Sequence, residues 1–283
     1  MTITSIYRNY LQELQKIYSP GEAETITKII FEYFGNISRS DMIKDPARQA
    51  GKLILHDLTE SLKDLLQYKP VQYITGEAFF CGMKLKVSEA VLVPRPETEE
   101  LVMFAKEFIQ DGNSIIDIGT GSGCIAIALK KYKENTLISA IDISHEALHI
   151  AEINANQQNC EIDFIQMDFL DESKLASLGN FDLIVSNPPY IPEKEKLMLD
   201  RNVRDHEPHT ALFVRDEDAI VFYRMIALFG KHHLNENGKI MVETHEIYAG
   251  KVADEFIKHG FRAEIRKDIF DKERMVIAQR YSL

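Results

Sequence analysis

The four residues Asn187-Pro188-Pro189-Tyr190, hereafter the NPPY motif, are the residues of this sequence best suited to chemistry. The side-chain oxygen of Asn187 and the carbonyl of Pro188 are hydrogen-bond acceptors, and a proline pair has no backbone N–H to compete for them. Two fixed acceptors can hold both hydrogens of a planar NH₂ group and aim its nitrogen at an electrophile. The motif therefore predicts group transfer to a planar nitrogen, although a rigid turn without chemistry is the alternative reading.

Each residue of the motif has an expected role. We expect Asn187, Pro188 and Tyr190 to be catalytic, and all four residues, Pro189 included, to contact the acceptor. The Tyr190 ring can pack on the planar group and present its face to a positive charge. The nitrogen can lose its proton after the transfer, so no general base is required at first.

A glycine-rich turn follows the apolar run at 115–118 and precedes a helical run at 124–132. Glycine permits a tight turn and a close approach of the backbone to a ligand. Asp142 ends the next strand, where an acid suits two ribose hydroxyls, and Ser144 can cap the following helix in its place. The turn has G-x-G-x-G spacing, so it predicts a methyl donor or, as the alternative, a dinucleotide. Its residues are Gly119, Thr120, Gly121, Ser122 and Gly123.

An acid and an aromatic residue, Asp168 and Phe169, follow the third strand. Such a pair can bracket an adenine by hydrogen-bonding its exocyclic amine and contacting its ring. A solvated acid beside a core phenylalanine fits the spacing equally well. We expect both residues, and Asn187, to contact the cofactor.

Alternating strands and helices must position these residues. Such alternation predicts an α/β fold with a parallel sheet covered by helices on both faces, and ligands at the carboxyl ends of the strands. The predicted strands are 115–119, 137–142, 163–168, 181–186, 239–244 and 273–280. The predicted helices are 123–132, 145–157, 218–234 and 248–259.

The N-terminal part has a different pattern. Residues 1–70 have apolar residues at helical spacing and predict a small helical bundle, while residues 71–96 contain short alternating runs split by Gly82 and predict a β-hairpin linker. The remaining residues, 97–283, form the predicted catalytic domain.

Composition limits the possible partners and location. The net charge of −11 lies entirely beyond residue 70, because residues 1–70 hold nine Lys/Arg and nine Asp/Glu. An acidic catalytic half disfavours stable nucleic-acid binding. The sequence has no signal peptide, no long apolar run and three dispersed cysteines without a C-x-x-C pair, so we expect a cytoplasmic protein with no membrane association and no metal.

Several motifs occur together in a characteristic order. They are PVQYITGEAFFCGMKLKV (70–87), VLVPRPETEELV (91–102), IIDIGTGSGCIAIAL (115–129), FDLIVSNPPYI (181–191) and EPHTAL (207–212). With them, nearly the whole chain resembles the HemK/PrmC family of peptide chain release factor glutamine N5-methyltransferases.

This resemblance implies a helical N-terminal domain, followed along the chain by a hairpin linker and a class I (Rossmann-like) methyltransferase domain. It implies S-adenosyl-L-methionine as donor, S-adenosyl-L-homocysteine as product, and the glutamine of the Gly-Gly-Gln motif of class 1 release factors as acceptor. The helical domain would help to grip the release factor. The segment 95–99, which otherwise is typical of a helix start, would lie near the active site.

Two segments depart from the family pattern. Residues 243–246 read Glu-Thr-His-Glu where Glu-x-Gly with a following Gln is common, and residues 214–218 replace a glycine-rich stretch. Neither departure falls within the donor turn or the NPPY motif, so the details of the late strand and of the loop before the helix at 218–234 stay open, and the predicted reaction does not change.

Three other functions compete with this interpretation. The run His145-Glu146-Ala147-Leu148-His149 matches the H-E-x-x-H zinc-peptidase helix, but its place after Asp142 predicts a helix packed on the flank of the sheet. A nucleic-acid amino methyltransferase would need the same two acceptors, and the acidic charge argues against it. A donor-binding scaffold without catalysis is disfavoured by the intact NPPY motif.

Overall fold

The structure, a computed structural model, describes residues 1–281. The chain divides into two compact units. The first unit comprises Met1–Glu77 and Asp200–His206, and the second comprises Ala78–Leu199 and the chain from Glu207 onward. Across residues 1–281, no helix is long and apolar enough to cross a membrane.

The first unit is helical. Its helices are α1 (Ile3–Leu14), α2 (Pro20–Gly35), α3 (Arg39–Lys44), α4 (Lys52–Leu66) and α5 (Val71–Thr75). The side chain of Ser19 caps α2, Pro20 occupies its first turn, and Asn36 ends it in the left-handed region with φ of 46°. The run Ser19-Pro20-Gly21 is therefore the start of this helix.

Buried aromatic and aliphatic residues hold these helices together. Tyr10 contacts Phe31 edge-on with ring centroids 5.6 Å apart, and its hydroxyl lies 2.9 Å from the buried Ser61 hydroxyl. The segment Asp200–His206 joins this unit because His206 Nε2 lies 2.9 Å from the Gln67 carbonyl oxygen. The Arg201 guanidinium also lies 4.2 Å from the centre of the Tyr68 ring.

A β-hairpin connects the helices to the sheet. Its strands are β1 (Glu77–Phe80) and β2 (Met83–Lys86), and its turn residues Cys81 and Gly82 have φ of 47° and 73°. Two positive φ values are typical of the tight turn that suits the twist of a hairpin. Asn154 Oδ1 accepts a hydrogen bond of 2.6 Å from the Lys86 nitrogen, so the hairpin is tied to the helix that contains Asn154.

The second unit contains a seven-stranded sheet and two short strands outside it. The strands are β3 (Ser114–Ile118), β4 (Leu137–Asp142), β5 (Asp163–Gln166), β6 (Phe181–Ser186), β7 (Ile191–Pro192), β8 (Phe213–Val214), β9 (Leu234–Glu243), β10 (Phe261–Lys267) and β11 (Glu273–Arg280). The order in the sheet is β10-β11-β9-β6-β3-β4-β5. Strands β5, β4, β3, β6 and β9 are parallel, and β11 runs antiparallel to both β9 and β10. The short strands β7 and β8 pair with each other outside this sheet.

Helices flank the sheet within the second unit. They are α6 (Pro96–Phe108), α7 (Cys124–Tyr132), α8 (His145–Gln157), α9 (Glu172–Leu175), a 3₁₀ helix (Glu193–Met198), α11 (His209–Leu212), α12 (Val221–His233) and α13 (Ala249–Lys258). Helix α10 (Arg201–His206) belongs to the first unit. Two separate buried clusters form the core of this unit: one includes residues of α12 and α13, and the other residues of α6 and α7. The predicted α/β class with a mainly parallel sheet is confirmed.

Two features of the late sheet were not predicted. Strand β9 begins at Leu234, which pairs with Phe181, and after an irregular stretch its pairing resumes with Lys239 opposite Leu183. The intervening polar residues are typical of a loop, so the sequence predicted a strand only from 239. Strand β10 was also missed, because most of its residues lie on an exposed edge and provide no apolar run.

Candidate active site

A cavity of about 590 Å³ lies at the carboxyl ends of β3, β4, β5 and β6. Residues from each strand end line it, as expected for a parallel sheet. Those that the sequence selected are Gly119, Thr120, Gly121, Ser122, Asp142, Asp168, Phe169, Asn187, Pro188 and Pro189. Of the selected residues, all within the described chain, Gly123 and Tyr190 do not line it.

The glycine-rich turn forms one wall of the cavity. Gly119, Gly121 and Gly123 have φ of 72°, 54° and 80°, values that L side chains rarely adopt. Gly123 has a packing role instead of a place on the wall: a Cβ there would lie 3.1 Å from the Ala151 Cβ on α8. The first two glycines shape the turn, and the third lets the helices pack closely.

Asp142 faces the cavity from the end of β4 and holds the turn in place. One carboxylate oxygen accepts a hydrogen bond of 2.9 Å from the Gly121 nitrogen, and the other accepts one of 2.9 Å from the Ser144 nitrogen. Burial raises the pKa of this carboxyl above its usual value. Ser144 caps α8 by accepting a hydrogen bond of 3.1 Å from the Ala147 nitrogen, so this cap is Ser144 and not Asp142.

A second acid, Asp117, supports the turn from inside the sheet. It is fully buried, and the Thr120 hydroxyl donates to Oδ2 at 2.6 Å, while Oδ1 has no hydrogen-bond partner within the described chain. Burial raises the pKa of Asp117 to about 7. Asp117 was not among the predicted site residues, although an acid inside the apolar run at 115–118 is a usable signal.

Asp168 and Phe169 both line the cavity beyond β5. Asp168 Oδ1 accepts a hydrogen bond of 2.9 Å from the Leu170 nitrogen. Phe169 is 5% exposed and meets Phe229 edge-on at 5.6 Å, so most of its ring belongs to the core. Phe169 is therefore a core residue that also reaches the cavity, and its contact with an adenine stays a prediction.

The NPPY motif continues from the end of β6. Asn187 Nδ2 donates a hydrogen bond of 3.0 Å to the Thr98 hydroxyl, and that hydroxyl donates one of 2.6 Å to the Glu243 carboxylate. Because the Asn187 side-chain nitrogen is hydrogen-bonded to Thr98, the side-chain oxygen is left to accept a hydrogen bond from another donor. Pro188 is buried beside it on the cavity wall.

Tyr190 packs against the core and does not line the cavity. Its ring packs against the buried cluster that contains α12 and lies 6.0 Å from the His245 ring. Burial raises the pKa of its hydroxyl well above the usual range. This position suits support of the NPPY loop better than contact with a ligand in the cavity.

The segment 95–99 contributes two residues, Arg95 and Thr98, to the cavity lining. Arg95 forms a 2.6 Å ion pair with Glu207, whose side chain is 1% exposed. Glu99 instead accepts a hydrogen bond of 2.8 Å from the Cys81 nitrogen in the hairpin. Arg95 and Glu207 belong to motifs separated by more than a hundred residues, so spacing alone did not predict their pairing.

The two segments that depart from the family pattern lie at the cavity or next to residues that line it. Glu243 reaches Asn187 through Thr98, and Val214, Arg215 and Asp218 line the cavity. The carboxyl end of β9 lies beside that of β6, since Val242 pairs with Ser186 at the end of their register. Residues after β9 therefore belong to the same edge of the sheet as the NPPY motif.

The H-E-x-x-H match lies on the surface. His145, Glu146 and His149 are exposed at the start of α8. No group of three or more metal-ligating side chains occurs in residues 1–281.

The strand order, with β11 inserted antiparallel beside β9, and the glycine-rich turn after β3 define a class I methyltransferase. Residues 80–205 match the family model of the methyltransferase small domain. A solved methyltransferase from Pyrococcus furiosus shares this fold with a TM-score of 0.53 at 18% identity, over 78% of this chain and 98% of that one.

Two curated relatives identify the family within this class of methyltransferases. The release factor glutamine methyltransferase of Flavobacterium psychrophilum is 39% identical, over 98% of this chain and 98% of that protein. The release factor glutamine methyltransferase of Bacteroides thetaiotaomicron is also 39% identical, over 95% and 97% of the two chains. The chain belongs to the release factor glutamine methyltransferase family.

Proposed function

We propose that this enzyme uses S-adenosyl-L-methionine to methylate N5 of the glutamine in the Gly-Gly-Gln motif of class 1 peptide chain release factors. It acts in the cytoplasm and tunes translation termination. The names of its close relatives support the substrate class. The observation that carries the proposal is the Asn187 amide, which lies on the cavity wall with its nitrogen already bonded to Thr98.

The cavity fits the proposed donor. Its volume of about 590 Å³ lies within the range of small-molecule sites. The Asp142 carboxylate can accept hydrogen bonds from ribose hydroxyls, while the backbone of the glycine turn permits close approach of the amino-acid part. Asp168 and Phe169 would contact the adenine, and S-adenosyl-L-homocysteine would leave as product.

The acceptor is held by Asn187 and Pro188. The donor, when bound, supplies an electrophilic methyl group. Asn187 Oδ1 and the Pro188 carbonyl each accept one hydrogen of the glutamine NH₂ group, which orients the nitrogen and increases its electron density. Pro189 shapes the loop, and Tyr190 supports it from the core side. The nitrogen releases its extra proton after transfer.

The predicted helical domain, residues 1–70, would contribute to recognition of the release factor. Its exposed apolar side chains, Ile43 at 75% and Leu53 at 74%, are suited to a protein partner. We do not expect stable nucleic-acid binding, because the second half of the chain is acidic.

A radiolabelled methyl-transfer assay tests this function. It offers the enzyme full-length release factor, a Gly-Gly-Gln→Gly-Gly-Ala variant of that factor, duplex DNA and ribosomal RNA. We expect label on the native release factor alone. Label on nucleic acid only, or equal labelling of both forms of the release factor, would overturn the proposal.

A further inference from the structure

We propose that Glu243 and Thr98 are positioning residues that fix which end of the Asn187 amide faces the acceptor. This inference rests on the proposed function and concerns the same site. Thr98 lies on the cavity wall, whereas Glu243 acts from behind it through the Thr98 hydroxyl. The two residues are 3% and 2% exposed, so water does not compete for their hydrogen bonds.

The number of hydrogens decides the orientation. A threonine hydroxyl has one hydrogen, and an ionised carboxylate only accepts. The Thr98 hydrogen therefore goes to Glu243 at 2.6 Å, and Thr98 can only accept from Asn187 at 3.0 Å. The amide nitrogen must then face Thr98, and its oxygen is left as an acceptor.

The opposite orientation would disable the site. The nitrogen and oxygen of an amide are nearly equal in size, so only hydrogen bonding selects between the two orientations. If Thr98 donated to Asn187, the amide would present NH₂ to the acceptor, and two NH₂ groups cannot bond to each other through their hydrogens. Glu243 prevents this by engaging the only Thr98 hydroxyl hydrogen.

Charged groups around Glu243 act on its ionisation in both directions. Burial is the main effect and raises its pKa to about 7, while Arg274 on β11 and Arg95 before α6 favour the ionised form and Glu97 on α6 opposes it. Tyr223 on α12 donates to the Glu243 carbonyl at 3.0 Å, and Tyr190 lies nearby. The carboxylate is therefore ionised in weakly alkaline solution.

The test compares T98S, T98V, E243M and the double variant T98V/E243M with the native enzyme on full-length release factor at pH 8. T98V and E243M should each lower kcat roughly 10- to 100-fold, because one acceptor contact is lost in the transition state. KM for both substrates should change less than about 3-fold, since other contacts dominate binding. T98S, which keeps the hydroxyl, should restore most of the activity lost in T98V.

Two further readouts separate positioning from general damage. In the double variant, E243M should add little to the effect of T98V, because Glu243 acts only through the hydroxyl. The native pH profile of kcat should fall below pH of about 7, and E243M should lack this acidic limb. Thermal melting and donor binding check that each variant is folded.

Equal kcat for T98V and the native enzyme, or additive losses in the double variant, would overturn the positioning role. If E243M fails to fold, the comparison of T98V with T98S still decides the outcome. If the native enzyme itself does not label release factor, the proposed function fails, which is a distinct result.

Discussion

The carboxylate of Asp142 accepts a hydrogen bond of 2.9 Å from the backbone nitrogen of Gly121. The end of β4 is thereby connected to the glycine-rich turn that follows β3. One side chain thus stabilises the turn and faces the cavity that the turn encloses. Its negative charge is useful for both tasks, because an ionised carboxylate offers several acceptor positions.

Asp142→Asn should weaken donor binding. The substitution replaces one accepting oxygen with an NH₂ donor. If this NH₂ group faces Gly121, the hydrogen bond from the Gly121 nitrogen is lost, and if it faces the cavity, it repels a ribose hydroxyl hydrogen. We expect the dissociation constant for S-adenosyl-L-homocysteine to rise roughly 10- to 100-fold. Titration calorimetry measures this, with Glu146→Gln on the exposed start of α8 as the matched control. Unchanged affinity in Asp142→Asn would remove Asp142 from the donor site.

Asn187→Ala should abolish transfer and leave donor affinity within a few-fold. In the proposed mechanism the side chain supplies one of the two acceptors for the glutamine NH₂ group, and its loss would leave that nitrogen without orientation. Single-turnover labelling measures the transfer step, and titration with S-adenosyl-L-homocysteine measures donor binding. A large loss of donor affinity would show that Asn187 serves mainly the cofactor.

The sequence predicted the parts of the site that are local in the chain. The glycine turn, Asp142 and the NPPY motif each follow a strand, and the ends of parallel strands share one edge of the sheet. The contact between Thr98 and Glu243 joins residues 145 positions apart, and no spacing rule connects them. The sequence did not predict strand β10, because its exposed residues provide too little hydrophobic signal.

Gly123→Ala should destabilise the protein by roughly 1–3 kcal/mol. The residue has φ of 80°, and its added Cβ would lie 3.1 Å from both Ala151 Cβ and Ile127 Cδ1. The matched control is Gly250→Ala in α13, where nothing lies within 4 Å and alanine favours the helix by up to ~1 kcal/mol. Urea unfolding should move the two midpoints in opposite directions. A stable Gly123→Ala would mean that α7 and α8 can separate at little cost.

The ionisation of Glu243 should make stability depend on pH. Its pKa is about 7 in the folded protein against 4.5 as the ordinary value, so the folded state binds the proton more tightly. Between these two values stability falls as pH rises, because the buried carboxyl must lose its proton.

Glu243→Gln removes this dependence. From pH 5 to pH 8, the free energy of unfolding of the variant should rise by on the order of 2 kcal/mol relative to that of the native protein. Unfolding free energies at the two pH values measure the change. Glu236→Gln, at an exposed position, is the control and should follow the native protein. Parallel curves for Glu243→Gln and the native protein would show that Glu243 keeps an ordinary pKa.

The helical unit provides the last prediction. Leu53 is 74% exposed on α4, and a glutamate there should weaken docking of the release factor without touching the cavity. We expect Leu53→Glu to raise KM for full-length release factor at least ~5-fold, because one leucine contact with the bound factor is lost, and to leave kcat unchanged.

Leu137→Glu is the control. It makes the same change at a residue that is 69% exposed at the amino end of β4, the edge of the sheet opposite the cavity, and it should have no effect on KM. A short Gly-Gly-Gln peptide, which lacks the rest of the release factor, should be methylated equally by both variants. If Leu53→Glu leaves the KM for release factor unchanged, the exposed face of α4 is not part of the docking surface.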